Sequence, residues 1–181
     1  TSSVNFAVPS LVQNMNLVKK IYFPREIFPL SSVAASFVDL SIASIVYVGM
    51  FIYYQIPFRT TIFLIPLLLA IQILLTLGIV LFSSALNVFY RDIRFVVPLG
   101  IQLWLYASPI IYPLSQVPER LRPIYLLNPM AGLIEAYRDV TIRGVMPDWN
   151  YLAIAAVVSI VIFIIGYLYF KHVEWQFADI I

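Results

Sequence analysis

Four long apolar runs limit the folds open to this chain. They cover residues 30–54, 61–89, 95–114 and 149–170, and the one charged residue among them is Asp39. An α-helix rises about 1.5 Å per residue, so roughly 20 residues cross the hydrocarbon core of a bilayer. A helix also pairs its backbone polar groups within one segment, as lipid requires. The sequence therefore predicts an all-α fold, a polytopic membrane helix bundle with four complete spans.

Composition agrees with a membrane protein and excludes several functional classes. Of the 181 residues, 62% are hydrophobic and 11% are charged, and the mean hydropathy is +0.93. Such a chain would expose too much apolar surface in water. The basic residues are scattered and the net charge is only +2, so no nucleic acid partner is expected. The absence of cysteine excludes disulfides and thiolate metal ligands.

A basic segment interrupted by prolines, residues 14–29, lies directly before the first span. Asn16 is a suitable N-cap for a short helix, because its side chain accepts an orphan backbone N–H, and Pro24 ends that helix. The helix has about two turns, with apolar residues on one side and two lysines on another. Two interpretations stay open. The helix is either an interfacial element whose lysines contact lipid phosphates or a docking element for a cytoplasmic partner.

The other connections set the order of the spans. Residues 1–13 are moderately apolar, and we expect them to be the end of an earlier span whose beginning this chain lacks. Residues 55–60 form only a turn, so the second span should run antiparallel beside the first. Residues 90–94 form a charged turn before the third span, and Pro29 suits the first turn of the first. The whole chain, residues 1–181, is expected to be one transmembrane domain.

Basic residues near the span ends predict the orientation in the membrane. One side carries Lys19, Lys20, Arg25, Arg91, Arg94 and Lys171. The other side carries Arg59 in a short turn, and its remaining arginines lie in a long segment where they count for less: Arg120, Arg122, Arg138 and Arg143. The first side is therefore predicted to be cytoplasmic.

The long outer segment, residues 115–148, carries the signals of one more helix. Asn128 is a typical N-cap, Pro129 suits the first helical position and Gly144 marks the end. A helix over residues 129–142 is about 21 Å long and too short to span. One face is apolar, and the other carries Glu135, Arg138 and Asp139. The helix is either re-entrant or a solvated surface helix with an ion pair between Glu135 and Arg138.

Polar residues and a proline inside the spans have structural interpretations. Ser32, Ser36 and Asp39 share one helix face, and the carboxylate should face a helix interface or water, because lipid exposure costs about 2.5–3.5 kcal/mol. Pro109 is expected to kink the third span, because it removes the hydrogen bond to the Leu105 carbonyl. The isolated amides should form interhelical hydrogen bonds: Gln72, Asn87 and Gln102.

Motifs for catalysis or ATP binding are missing from the sequence. The positions of its six glycines rule out GxxxxGK[ST] and GxGxxG loops, so this chain should not bind ATP itself. His172 is the single histidine and lies in no HExxH motif, so no metal site is expected. Glu135 and Asp139 lie one turn apart, but acid–base chemistry would also need a pocket. We expect a non-catalytic membrane subunit that binds no cofactor of its own.

Five segments together resemble a known family. They are NLVKKIYFPREIFPLSSV at residues 16–33, NVFYRDIRFVVP at 87–98, SPIIYP at 108–113, LNPMAGLIEAYRD at 127–139 and the tail EWQFADII. The set is similar to the permeases of ATP-binding-cassette exporters of polysaccharides and polyol phosphates. Such permeases move lipid-linked O-antigen, capsule or teichoic acid precursors across the cytoplasmic membrane. They work as homodimers with two separate ATPase chains, so the resemblance implies that ATP and Mg²⁺ bind in the partner subunit.

The resemblance also implies roles for individual residues. The coupling helix in the ATPase cleft corresponds to Asn16, Leu17, Val18, Lys19, Lys20, Ile21, Tyr22, Phe23, Pro24, Arg25 and Glu26. The second cytoplasmic loop corresponds to Tyr90, Arg91, Asp92 and Arg94. The re-entrant outer helix corresponds to the segment with Asn128, Pro129, Glu135, Tyr137 and Arg138. A hydroxyl-rich polymer keeps its water and stacks on aromatic rings, so the candidates that line its path are Trp104, Tyr106, Tyr112 and Tyr125.

The implied mechanism leaves two alternatives. ATP closes the partner subunits, the helix of residues 17–23 moves as a lever, and Pro29 passes the motion to the first span. The expected partners are thus the ATP-binding subunit, a second copy of the chain, membrane lipid and a lipid-linked glycan or polyol phosphate. A drug or lipid exporter of the same superfamily would need no wide wet path. A secondary transporter would need no ATPase and would use an ion gradient, with Asp39 as its ion site.

Overall fold

The computed structural model describes residues 2–14, 24–108, 110, 125 and 127–177. Their α-helices are α1 (Ser2–Ala7), α2 (Ser10–Gln13), α3 (Ile27–Tyr53), α4 (Ile65–Phe89), α5 (Ile93–Ala107), α6 (Pro129–Arg138) and α7 (Trp149–Val173). A 3-10 turn, Thr60–Leu64, precedes α4, a π turn, Asp139–Arg143, extends α6, and a second 3-10 turn, Glu174–Gln176, follows α7. The part of the chain described here contains no β-strand, so the predicted all-α class is confirmed.

Three helices are long and apolar enough to cross a membrane. They run over Ile27–Tyr53, Thr60–Phe89 and Trp149–Gln176, with 27, 30 and 28 residues. Three of the four predicted apolar runs thus lie on long helices, whose ends differ from the predicted bounds by at most six residues. Their apolar side chains also stay largely exposed, which agrees with a lipid or protein environment around the bundle.

The helix described within the third predicted span covers only part of that span. Helix α5 has 15 residues, about 22 Å, and ends at Ala107. Ser108 follows with an extended backbone, ψ 146°, as expected for a residue whose conformation is restricted by the proline after it. Pro109, where a kink was predicted, lies outside the described residues. Pro98 lies inside α5.

Helices α4 and α7 form the tightest pair of the bundle, and two glycines meet where they cross. A Cβ added to Gly166 would overlap the carbonyl oxygen of Gly78, and one added to Gly78 would lie 2.7 Å from the backbone of Ile162 and Phe163. Small residues permit this close backbone approach, which strengthens dispersion contacts where lipid supplies no hydrophobic driving force. The crossing fixes α4 and α7 as the central pair of the fold.

The buried side chains form three clusters along this central pair. One cluster lies at the end of the bundle where α4 and α7 finish, and it includes Leu11, Val88, Phe170 and Phe177. A second cluster lies at the opposite end and joins α4, α6 and α7. The third cluster packs α1 against α3 and α4, with Val4, Ala7, Val8, Val33 and Val80. Helix α3 contributes few buried residues, and α5 contributes none.

Candidate functional site

The end of the bundle where α3 begins is tied together by a group of four charged residues, which we name the basal ion cluster: Arg25, Glu26, Lys171 and Glu174. Lys171 Nζ lies 2.9 Å from Glu26 Oε1 and 3.2 Å from Glu174 Oε2. Arg25 Nη1 donates a hydrogen bond to the backbone carbonyl of Glu174. The cluster therefore joins the segment before α3 to the end of α7, and it places Arg25 and Lys171 at one end of the bundle, as predicted.

The expected coupling helix lies only partly within the described residues. Positions 16–23 are outside them, while Pro24 is exposed and both Arg25 and Glu26 are partly buried. Pro29 is buried in the first turn of α3, as the sequence predicted. The functional role of the segment stays a prediction.

The second predicted cytoplasmic loop lies between α4 and α5. Tyr90 is the extended C-cap of α4, and Arg91 and Asp92 form the turn. The guanidinium of Arg94 lies 4.6 Å from the centroid of the Phe95 ring. Of residues 90–95, all except Ile93 are exposed, so this loop offers a charged surface beside the basal end.

Asn128 organises the start of the outer helix α6. Its Oδ1 accepts hydrogen bonds from the backbone N–H of Met130 at 3.1 Å and from the indole N–H of Trp104 at 2.9 Å. Its Nδ2 donates to Ser108 Oγ at 3.0 Å. The predicted N-cap with Pro129 at the first helical position is thus confirmed, and the same side chain joins α6 to the end of α5.

Helix α6 packs tightly on the beginning of α7. A Cβ on Gly132 would lie 2.9 Å from the carbonyl oxygen of Tyr151 and 3.2 Å from the Cβ of Ala155. Leu133 and Ala136 are buried in the same cluster as residues of α4 and α7. The apolar face predicted for the outer helix is therefore buried inside the bundle.

Hydrogen bonds from buried or partly buried groups also hold the outer helix. Tyr137 Oη donates to Gln72 Oε1 of α4 at 3.0 Å, and Thr61 Oγ1 donates to the carbonyl of Val140 at 2.8 Å. Tyr47 Oη of α3 and Thr141 Oγ1 lie 3.0 Å apart. The interhelical bond expected of Gln72 is confirmed, whereas Gln102 is exposed and Asn87 is buried with no partner for its Oδ1 among the described residues.

Charged residues at the end of α6 form a second group, the outer ion cluster, with Glu135, Arg138, Asp139 and Arg143. Arg143 Nη1 lies 2.7 Å from Glu135 Oε1 and 2.6 Å from Asp139 Oδ1, and Arg138 Nη1 lies 3.4 Å from Glu135 Oε2. Hydrogen bonds to Asp139 and then to Glu135 raise the pKa of Arg143 above its usual value. Both carboxylates are occupied by arginine, which leaves neither as a free acid or base.

One detail of this end differs from the sequence-based expectation. Asp139 is not on an exposed polar face but is 8% exposed, because the π turn moves it toward Arg143 and the bundle. Gly144 ends the turn with φ 65°, the left-handed conformation that glycine adopts at helix ends. The side chain of Arg59 packs against Gly144, so Arg59 and Arg143 share the outer end, as predicted.

The aromatic candidates for the substrate path do not form one group. Trp104 lines a cavity of about 240 Å³ between α1, α4, α5 and α6, together with Gln72, Thr76, Ser108 and Met130. Tyr106 is 62% exposed on α5, and Tyr125 is partly buried. Tyr112 lies outside the described residues.

A second cleft, of about 290 Å³, lies between α1, α3 and α4. Ser36 and Asp39 line it from α3, and Gln72 and Thr76 line it from α4. Ser36 and Asp39 thus lie on one face of α3, as predicted, and this face lines the cleft, although Asp39 itself is exposed. Within the described ranges no three His, Cys, Asp or Glu side chains form a metal-binding group.

Three helices that are long and apolar enough to cross a bilayer indicate a multi-pass membrane protein. The family model for ABC-2 type transporters matches residues 2–142, so the chain belongs to the ABC-2 type transporter membrane family. Members of this family are transporter permeases, and membership implies an ATP-binding partner subunit.

Similar proteins extend this assignment. Two proteins of Klebsiella pneumoniae named O-antigen export system permease protein RfbA are 32% and 31% identical to the chain over 181 residues. A protein of the same name from Myxococcus xanthus is 30% identical over 183 residues. Each alignment covers 99% of this chain and 70% of the relative.

Proposed function

We propose that this chain is the transmembrane permease subunit of an ABC exporter that moves a lipid-linked polysaccharide or polyol phosphate polymer across the cytoplasmic membrane. ATP and Mg²⁺ would bind in a separate subunit. The observation that carries the proposal is the match over 99% of the chain to permeases named for O-antigen export, within the ABC-2 family. O-antigen is one member of the proposed substrate class, which also includes capsule and teichoic acid polymers.

The basal end is the proposed contact with the ATPase. Residues 16–26 would form the coupling helix, and Tyr90, Arg91, Asp92 and Arg94 would face the same side of the membrane. The basal ion cluster supports this proposal, because it places Arg25 and Glu26 beside Lys171 at one end of the bundle. The excess of basic residues in short loops at this end supports a cytoplasmic location.

The outer helix is proposed to be re-entrant. Gln72 lies seven residues after Ile65, the first residue of α4, which corresponds to a depth of about 10 Å along that helix. Tyr137 reaches this depth to make its hydrogen bond with Gln72. Irregular backbone at such a depth needs protein around it, and the tight contacts of α6 with α7 supply that cover.

A second copy of the chain is the proposed cover for α5. This helix has no buried residue, and both Gln102 and Arg94 are exposed on it. An amide in contact with lipid is unfavourable, whereas a facing helix of a second copy would supply a hydrogen-bond partner. The proposed path lies along this helix, where Trp104 and Tyr106 would stack on sugar rings, with Tyr112 and Tyr125 as the remaining candidates.

The proposed layout of the chain keeps one permease domain over residues 1–181. Spans would cover α3, the 3-10 turn with α4, and α7. A fourth crossing would start with α5 and continue beyond Ala107 through residues 108–114. Residues 1–13 would be the end of an earlier span, and residues 115–148 would hold the outer re-entrant segment.

Co-purification tests the proposed function. The complete tagged open reading frame is purified from detergent-solubilised membranes, and bound ATP-binding subunit and ATP hydrolysis are measured. We expect an ATP-binding subunit with the wild type and its loss in Leu17→Asp and Tyr22→Asp. The matched control is Met146→Asp, at an exposed position of the outer end. A wild-type preparation with no ATP-binding subunit under gentle conditions would remove the energy source from the proposal.

A further inference from the structure

The basal ion cluster connects two parts of the chain that are far apart in sequence. Glu26 and Lys171 are separated by 145 positions, yet Lys171 Nζ lies 3.0 Å from Glu26 Oε2 as well as 2.9 Å from Oε1. The same lysine contacts Glu174 one turn later, and Arg25 donates to the Glu174 carbonyl. Two residue pairs, Lys171 with Glu26 and Arg25 with Glu174, thus hold the segment before α3 against the end of α7.

Helix α3 alone is poorly suited to carry motion into the rest of the bundle. Of its 27 residues, the buried ones are Pro29, Val33 and Phe51. A rigid element transmits force to another only through packed contacts. Helix α7 is better placed, because Gly166 meets Gly78 of α4 and its side chains enter two buried clusters.

The opposite end of α7 contacts the outer helix. Tyr151 and Ala155 lie directly against Gly132 of α6, and Leu152 shares a buried cluster with Leu133. From Tyr151 to Lys171 an uninterrupted helix extends over 20 residues, about 30 Å. One helix therefore reaches from the basal ion cluster to the outer helix.

We propose that the contacts of Lys171 and Glu174 with Glu26 and Arg25 form a clamp that passes the motion of the coupling segment to α7, and through α7 to the outer helix α6. Lys171 and Glu174 are thus positioning residues for transport. The clamp stays closed through the transport cycle, so that α3 and α7 move together at the basal end. This proposal rests on the proposed function, because the ATPase supplies the motion.

The partial exposure of the clamp residues indicates which property of the complex should change when the clamp is broken. The side chains of Lys171 and Glu26 are 33% and 22% exposed, and ion pairs of that kind contribute little to folding. Reversal of one charge places like charges together and opens the clamp without removing a buried apolar contact. The expected defect is therefore in export per ATP hydrolysed rather than in assembly.

Charge reversal tests the clamp in the full complex. Export and ATP hydrolysis are measured for Lys171→Glu, for the exchange Glu26→Lys with Lys171→Glu, and for the matched control His172→Glu at an exposed neighbouring position. We expect Lys171→Glu to retain the ATP-binding subunit and to lower export per ATP by about 2- to 30-fold. The exchange should recover most of that loss, and the control should match the wild type.

The other possible results of this experiment would contradict either the clamp or the proposed function. Unchanged export in Lys171→Glu, or an exchange no better than the single variant, overturns the clamp. Loss of the ATP-binding subunit in Lys171→Glu also overturns it, because the lysine would then be needed for assembly. Absence of an ATP-binding subunit from the wild type would instead overturn the proposed function itself.

Cross-linking tests whether the clamp stays closed. Residues 1–181 contain no cysteine that would compete for the reagent. The double variant Glu26→Cys with Lys171→Cys is treated with a short bis-maleimide, and the two single variants are treated in the same way. The untreated double variant lacks both charges and should export less per ATP than the wild type. We expect the cross-link to raise that export, because it restores the connection between the two sites. Export that stops on cross-linking, while both single variants are unaffected, would show that the two sites separate and would overturn the proposal.

Discussion

Tyr137 of the outer helix donates a hydrogen bond to Gln72 of α4 across 3.0 Å. The bond joins a half-length helix to the interior of a long apolar helix, and both partners are partly buried. A polar pair in this position satisfies two groups that are partly withdrawn from water. The contact therefore fixes how deeply the outer helix enters the bundle.

Removal of the Tyr137 hydroxyl should destabilise the bundle. In Tyr137→Phe the Gln72 carbonyl loses its donor, and we expect a loss of about 1 kcal/mol in the free energy of unfolding. Thermal unfolding of the purified protein in detergent measures this change. Tyr167→Phe is the matched control, because Tyr167 is exposed on α7. Equal unfolding midpoints for the two variants would contradict the importance of the Tyr137 contact.

A methyl group at the helix crossing should destabilise the central pair. In Gly166→Ala the new Cβ overlaps the backbone of Gly78, and the helices must separate. We expect a loss of about 1–3 kcal/mol, the range for overpacked sites, and a lower yield of folded protein. Gly49→Ala is the control, because a Cβ at Gly49 meets nothing within 4 Å. A stable Gly166→Ala protein with wild-type yield would show that α4 and α7 do not depend on this approach.

Two substitutions at Asn128 should distinguish the contribution of its N-cap to stability from that of its hydrogen bond to the end of α5. Asn128→Ala removes the acceptor for Met130 and Trp104, and we expect a loss of about 1 kcal/mol or more. Asn128→Asp keeps that acceptor and loses the donor to Ser108, so its unfolding midpoint should lie between alanine and wild type. Thermal unfolding of the three proteins gives the order. An aspartate variant less stable than the alanine variant would contradict this division of roles.

The aromatic residues of the proposed path can be tested without loss of the fold. Tyr106 is 62% exposed, so Tyr106→Ala should leave assembly and ATP hydrolysis intact. Export should fall, because the ring that stacks on sugar is removed. We expect the same result for Tyr112→Ala. Export by a purified, reconstituted complex measures the effect. The comparison is Tyr53→Ala, an exposed tyrosine at the outer end of α3. Unchanged export in both variants removes these tyrosines from the path.

Local signals in the sequence predicted much of the fold. The N-cap at Asn128 and the stop at Gly144 bracket the outer helix in the structure, because each residue satisfies a backbone requirement that only a few residue types meet. The long helices were equally predictable from the length of their apolar runs. The end of α5 was not, because the apolar run continues past Ser108 and hides the restriction that Pro109 places on the preceding residue.

Contacts between residues that are far apart in the chain could not be predicted from the sequence. Nothing in the spacing of Glu26 and Lys171 indicates that they pair, since the contact depends on where α7 ends relative to α3. The π turn that buries Asp139 has no local signal either, and periodicity placed this carboxylate on the polar face. The crossing of Gly78 with Gly166 likewise depends on how α4 and α7 pack, which hydropathy alone does not specify.

Reconstituted transport tests the central claim most directly. The complete chain and its ATP-binding subunit are placed in proteoliposomes, and transfer of a lipid-linked glycan across the bilayer is followed with and without ATP and with an ionophore. We predict transfer that needs both subunits and ATP and that continues when ion gradients are dissipated. Transfer that proceeds without the ATP-binding subunit and stops on addition of the ionophore would contradict an ATP-driven exporter and favour an ion-coupled transporter.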